Sequence, residues 1–66
     1  MRDVYRRYIG RDVVVQVGED SLAGKLISVN GGALRLSDAV LLGVNPVDLD
    51  GDVVIPVGRA RWVQVP

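Results

Sequence analysis

A strict alternation of valine with other residues begins shortly after Gly10, and this pattern most constrains the fold. Val13, Val15 and Val17 occupy every second position. Successive side chains of a strand point to opposite faces, so these three valines share one face. A period of two in β-branched residues predicts a strand with one side facing a core.

Four further strands are predicted downstream, separated by short turn signals. The five predicted strands cover residues 13–17, 22–29, 33–37, 53–57 and 60–65, with residues 39–42 extending the third. Asn30-Gly31-Gly32 is a strong hairpin signal, because Asn and Gly accept positive φ. Gly24 lies inside the second strand, where glycine often marks a sharp bend. Five short antiparallel strands with such a bend indicate a small barrel.

The only helical pattern precedes the strands, over residues 1–9. Val4, Tyr5, Tyr8 and Ile9 fall on one helical stripe, and Gly10 follows as a stop signal. A helix this short is marginal unless it is docked on an apolar surface. We therefore expect it to pack on the barrel.

Composition argues against catalysis and for self-association. The 66 residues include no Cys and no His, which removes disulfides, the common zinc ligands, the thiol nucleophile and the usual general base. Asp48, Asp50 and Asp52 alternate around Gly51 but lack the later Glu of a calcium loop. We predict no enzyme, no metal and no cofactor. A chain this short buries only about 60% of its unfolded surface, so oligomerisation is the expected source of further burial.

Charge and hydropathy give no sign of a membrane. The 8 Lys and Arg residues balance the 8 Asp and Glu residues, so global charge favours neither nucleic acid nor membrane. The longest apolar stretch, residues 39–44, is far shorter than the roughly 20 residues of a membrane helix. No signal-peptide pattern follows the polar start. A cytoplasmic location without a membrane partner is expected.

Two local patterns, together with the order of elements, resemble Sm and Sm-like (LSm) proteins. The first Sm motif is similar to Gly10, Val13, Val15, Gly24-Lys25-Leu26, Leu34, Leu36 and Asp38-Ala39, and the second is similar to Gly51-Asp52-Val53-Val54-Ile55-Pro56 with Arg59, Trp62 and Val63. The resemblance covers nearly the whole chain. It implies one Sm-like domain over residues 1–66, with a helix at 1–9 and a five-stranded, strongly bent, SH3-like barrel at about 11–65.

The resemblance also implies a homo-oligomeric ring of six or seven copies. In such a ring the fourth strand of one copy pairs with the fifth strand of the next. The apolar edge strands agree with this, because unpaired edges of that kind are aggregation sites. The candidate interface residues are Val54, Pro56, Trp62 and Val63.

Nucleic-acid binding is the activity that the resemblance implies. Asn30 stands near the position of a base-holding Asp in the first motif, Ala33 stands where the family has Asn, and Arg59 is displaced from the family's Arg-Gly pair. The mixture of Arg and Tyr near the N-terminus suits phosphate contact and base stacking; the alternative is a solvated helix face. The candidate nucleic-acid-binding residues are Arg2, Arg6, Arg7, Tyr8, Asn30, Arg59 and Arg61.

Three functions remain open at this point. The leading hypothesis is a non-catalytic ring that binds RNA or another nucleic acid. The altered motif positions favour a second hypothesis, a homo-oligomeric structural or protein-interaction scaffold without a nucleic-acid site. The third is a monomeric SH3-like barrel that binds a peptide or a partner protein.

Overall fold

The computed structural model describes residues 4–66, most of which lie in β-strands. Strands β1 to β6 cover Asp12–Val17, Asp20–Asn30, Ala33–Leu42, Val47–Asp48, Val53–Pro56 and Ala60–Gln64. Two single 3₁₀ turns, Arg6–Tyr8 and Val57–Arg59, lie before β1 and between β5 and β6. The predicted all-β class is confirmed. The two-residue β4 is an addition that the sequence pattern did not indicate.

The N-terminal segment is a single 3₁₀ turn where a helix over residues 1–9 was predicted; residues 1–3 lie outside the described part. The chain after this turn is already hydrogen-bonded to β2. The N–H of Gly10 donates to the carbonyl of Leu26 at 2.7 Å, and the N–H of Leu26 donates to the carbonyl of Arg11 at 3.0 Å. Tyr5 and Tyr8 pack against the core, which agrees with the alternative of a solvated N-terminal segment whose tyrosines pack on the barrel. Within residues 4–66, no helix has the length and apolar character needed to cross a membrane.

All six strands belong to one antiparallel sheet in the order β4-β3-β2-β1-β6, and β5 also pairs with β3. The β2–β3 register shifts next to Gly24. A Cβ atom on Gly24 would lie 3.0 Å from the carbonyl oxygen of Ser37 and 3.2 Å from the Cα of Ala39, so only glycine fits without a shift at this close approach. The bend predicted at Gly24 is therefore confirmed.

The core lies on the concave side of this bent sheet. Its buried side chains are Val13, Val15, Leu22, Leu26, Val29, Leu34, Leu36, Ala39 and Ile55. Val13 and Val15 are buried as their alternation predicted, and Leu34 and Leu36 are buried from β3. Burial of a Val or Leu side chain contributes about 1.5–3 kcal/mol. Among residues 4–66 no polar or charged side chain is buried, so the described interior contains no polar site.

Candidate nucleic-acid and subunit interfaces

The β2–β3 turn and the β5–β6 turn lie side by side. Gly31 and Gly32 have φ of 59° and 74°, as the Asn-Gly-Gly signal predicted for a tight hairpin. The N–H of Val57 donates to the carbonyl of Gly32 at 2.8 Å. This bond joins the turn that follows Asn30 to the turn that contains Arg59. We call these two connected segments, residues 31–32 and Val57–Arg59, the paired turns.

The paired turns and the strand ends beside them expose groups that can bind an anion and a base edge. Asn30, Arg59 and Arg61 are all exposed. In the described part of the chain the structure gives Arg59 and Arg61 no ion pair. Their guanidinium groups are therefore available to a phosphate, and the Asn30 amide can both donate and accept hydrogen bonds.

The N-terminal turn that carries Arg6 and Arg7 lies beside β2 near Leu26, away from the paired turns. The guanidinium carbon of Arg7 lies 5.8 Å from the centroid of the Tyr8 ring, and Tyr8 also packs against the core. Arg6 and Arg7 are exposed, whereas Arg2 lies outside residues 4–66. Their turn is held near Leu26, four residues before Asn30, which corresponds to about 13 Å along a strand. Within one copy, these cations and the paired turns thus lie at two separate positions along β2.

The two borders of the sheet are open. β5 is paired on one side with β3, and β6 is paired on one side with β1; in residues 4–66 neither has a strand on its other side. Val54 is 53% exposed and Trp62 is 47% exposed, and Pro56 is exposed as well. Val63, the fourth candidate interface residue, instead packs against the core. Three of the four candidates therefore point to solvent at or beside an open border.

Sequence reasoning missed a shallow groove on the convex side of the sheet. This outer groove has a volume of about 340 Å³ and is lined by Asp12, Val13, Val14, Ala23, Gly24, Asp38, Val40 and Pro66. The available signal was that Val14 is apolar although it alternates with the core valines. A second, more acidic depression of about 440 Å³ is lined by Ser37, Asp38, Ala39, Asp48, Leu49, Asp50, Gly51 and Asp52.

Four Asp side chains line the acidic depression. No group of three or more acidic side chains within residues 4–66 is arranged to hold a metal ion. Asp52 is engaged elsewhere, because its carboxylate lies 3.5 Å from the guanidinium of Arg35. The alternation of Asp48, Asp50 and Asp52 therefore creates negative charge without a coordination geometry.

Solved structures with the same arrangement of strands define the class of fold. A Pyrococcus abyssii Sm protein in complex with a uridine heptamer aligns with a TM-score of 0.82 and 24% identity, over 97% of this chain and 94% of that one. A heptameric archaeal Sm protein aligns with a TM-score of 0.79 and 22% identity, over 92% and 93% of the two chains. The protein therefore has the Sm-like fold, and the resemblance found in its sequence is confirmed at the level of fold.

One similar structure is not named as an Sm protein. A chain of the NatC complex bound to CoA aligns with a TM-score of 0.82 and 21% identity, over 100% of this chain and 90% of that one. At the level of sequence, no family model and no curated protein matches. The similarity is therefore carried by backbone geometry and not by side-chain identity.

Proposed function

We propose that the protein forms a homo-oligomeric ring of six or seven copies that binds RNA without catalysis. The main observation that supports a ring is that β5 and β6 each have one edge without a neighbouring strand in the described sheet. The chain binds a neighbour at each border, because unpaired backbone N–H and C=O groups are a template for another strand.

Exposed apolar side chains support this mode of assembly. If β5 pairs with β6 of the next copy, outward Val54 and Pro56 come beside the neighbour's outward Trp62. These side chains are otherwise left in water. A contact between two different borders is heterologous, and it closes into a ring when the rotation per copy completes a circle. The heptameric archaeal Sm protein of the same fold also supports this assembly.

RNA binding is assigned to the paired turns, together with the N-terminal cations. Ring symmetry would repeat Asn30, Arg59 and Arg61 once per copy, so a weak local charge becomes a continuous cationic path. Arg2, Arg6, Arg7 and Tyr8 are the further proposed contacts, with Arg2 outside the described residues. The structural similarity to a Pyrococcus abyssii Sm protein in complex with a uridine heptamer supports RNA as the ligand.

The test combines subunit number with RNA affinity. Light scattering after gel filtration measures the mass of the assembly. Fluorescence anisotropy with U-rich and A-rich oligoribonucleotides at two salt concentrations measures binding. We expect a mass of six or seven copies, binding that weakens with salt, and a salt slope reduced by about 1 in Arg59→Ala if that residue contacts one phosphate. Lys25→Ala is the matched control, because it removes the same charge from β2, five residues before Asn30.

A second function is favoured by two specific observations. Ala33 lies at the base of the β2–β3 turn, in register with Pro56, and has no side-chain amide that could bond a base. The NatC chain with the same fold supports a role within a protein complex. On this alternative the protein is a homo-oligomeric scaffold without a nucleic-acid site. A ring that binds neither the U-rich nor the A-rich oligoribonucleotide at low salt would support the scaffold function. A monomer would exclude both functions.

A further inference from the structure

An apolar strip crosses the convex face of the sheet at its centre. Val14 of β1 is in register with Ala23 of β2, and Ala23 is in register with Val40 of β3. All three side chains are partly buried, and they line the outer groove together with Gly24 and Pro66. In a half-exposed sheet this face is normally polar, so three adjacent small apolar side chains form a surface that gains from being covered.

The surroundings of this strip are acidic. Asp12 and Asp38 line the outer groove, and Asp38 also lines the adjoining acidic depression with Asp48 and Asp50. No Lys or Arg lines either of these two depressions. Within residues 4–66 the structure gives Asp38, Asp48 and Asp50 no ion pair. Lys25 stands in register opposite Asp12, and the Arg11 guanidinium donates to the carbonyl of Pro66 at 3.4 Å. The carboxylates farther from these cations are Asp38, Asp48 and Asp50.

We propose that the outer groove docks an extended segment of a partner protein that carries small apolar side chains flanked by Lys or Arg on one face, that is, at every second position of the segment. The apolar side chains cover the strip of Val14, Ala23 and Val40, and the cations lie beside Asp38 and Asp48. RNA does not fit this surface, because its phosphates are repelled by the same carboxylates. The volume of about 340 Å³ is at the lower end of pockets that bind ligands, about 300 Å³, which suits one or two small side chains.

This docking surface is separate from the strand borders and from the paired turns. Its residues come from the central strands β1, β2 and β3, whereas subunit pairing uses β5 and β6. It is also distinct from the paired turns, since Gly24 lies well before Asn30 on β2. The proposal therefore holds for a ring and for a single copy alike, and its test gives an answer independent of RNA binding.

The test uses three short peptides and the full chain labelled with ¹⁵N. The probe is Lys-Ser-Val-Ser-Val-Ser-Lys, which places both Val and both Lys side chains on one face of an extended chain; one matched peptide replaces each Val by Ser, and the other replaces each Lys by Glu. We expect the probe to shift the backbone amide signals of Val14, Ala23 and Val40 at millimolar concentration. The two matched peptides should shift them little, because each lacks one half of the recognition chemistry.

Variants decide whether the carboxylates contribute. Asp38 has φ of 53°, and Asn also tolerates this backbone region, so Asp38→Asn removes the charge while keeping the backbone conformation of β3. We expect it to weaken binding of the probe about two- to fivefold, the usual range for an exposed ion pair. Glu19→Gln, in the β1–β2 turn, is the matched control and should leave affinity unchanged.

Several results would overturn the proposal. They are equal shifts with the Ser peptide, unchanged affinity in Asp38→Asn, no shift at these amides at millimolar probe, or the same amides shifted by a short RNA. The RNA titration and the mass measurement are read separately. Failure of peptide docking is thus distinguishable from failure of the proposed RNA-binding ring.

Discussion

The α-carbon of Gly24 faces the carbonyl oxygen of Ser37 so closely that a Cβ atom on Gly24 would lie 3.0 Å from that oxygen. The contact is with backbone, which cannot rotate away as a flexible side chain can. The register of β2 with β3 changes at this point, and the curvature that encloses the core depends on it. Gly24 is therefore required by space and not by an unusual φ.

Gly24→Ala should lower the free energy of unfolding by about 1–3 kcal/mol, the typical cost of inserting an atom into a closely packed site. Urea unfolding at matched protein concentration measures this change, since association also contributes to apparent stability. Gly43→Ala is the control, because a Cβ atom there meets nothing within 4 Å. Equal losses in the two variants would show that the close approach relaxes freely.

Leu36→Ala should cost more than any surface change. Leu36 is 0% exposed, and truncation of a buried leucine costs about 2–5 kcal/mol. A chain of 66 residues has a total stability of about 3–10 kcal/mol, so this single change removes a large share of it. Val44→Ala is the comparison, because Val44 is 98% exposed and should change stability by less than about 0.5 kcal/mol. Thermal melting followed by circular dichroism distinguishes the two variants.

Trp62→Ala should reduce the number of subunits in the assembly. The indole is 47% exposed beside the open border of β6, and large aromatic side chains dominate the energetics of interfaces. Light scattering over a dilution series should show dissociation at higher protein concentration than in the unchanged protein. Val44→Ala again serves as control, since it removes apolar surface from the β3–β4 turn. An assembly equally resistant to dilution in Trp62→Ala would place the indole outside the interface.

Arg6→Ala combined with Arg7→Ala should weaken RNA binding and flatten its dependence on salt. Each lost phosphate contact lowers the salt slope by about 1, so the double variant should lose up to about two units. Anisotropy titrations at several salt concentrations give this slope. Lys25→Ala with Arg35→Ala is the matched control, because it removes the same number of positive charges from β2 and β3. If both double variants lose the same slope, the N-terminal turn has no special role.

Asp52→Asn should have little effect on folding. Its partner Arg35 lies at 3.5 Å, but the two side chains are 51% and 43% exposed. Exposed ion pairs of this kind contribute about 0.2–1 kcal/mol and are screened by salt. Urea unfolding at low and high salt should show a small loss that disappears at high salt. A loss that persists in high salt would indicate that Asp52 supports the β4–β5 segment by more than charge.

The parts of the fold set by local pattern could be predicted from sequence. The alternation at Val13 and Val15 and the Asn30-Gly31-Gly32 turn depend on neighbours along the chain. The position of the bend was indicated by Gly24 itself, although the contact that requires glycine there is with Ser37 of β3. In the described part of the N-terminal segment the predicted helix is reduced to the 3₁₀ turn Arg6–Tyr8, and the backbone that follows pairs with Leu26, a contact between distant residues.

Features that depend on register between strands could not be predicted in the same way. β4 is formed by only two residues, and it exists because Val47 and Asp48 pair with β3. The outer groove likewise requires the cross-strand alignment of Val14, Ala23 and Val40. The Sm-like resemblance supplied Asn30 and Arg59 as candidates, but the bond between Val57 and Gly32 that connects their turns is visible only in three dimensions.

The three-residue turn Val57–Arg59 is the direct covalent link between β5 and β6. Its geometry therefore fixes the angle between the two outer strands through which copies would join, and in a closed circle of identical units that angle determines how many units complete the circle. The same turn is hydrogen-bonded to Gly32. A ligand that binds the turn would therefore contact the segment whose conformation sets the number of subunits. Ligand binding and the number of subunits would then depend on the same three-residue turn.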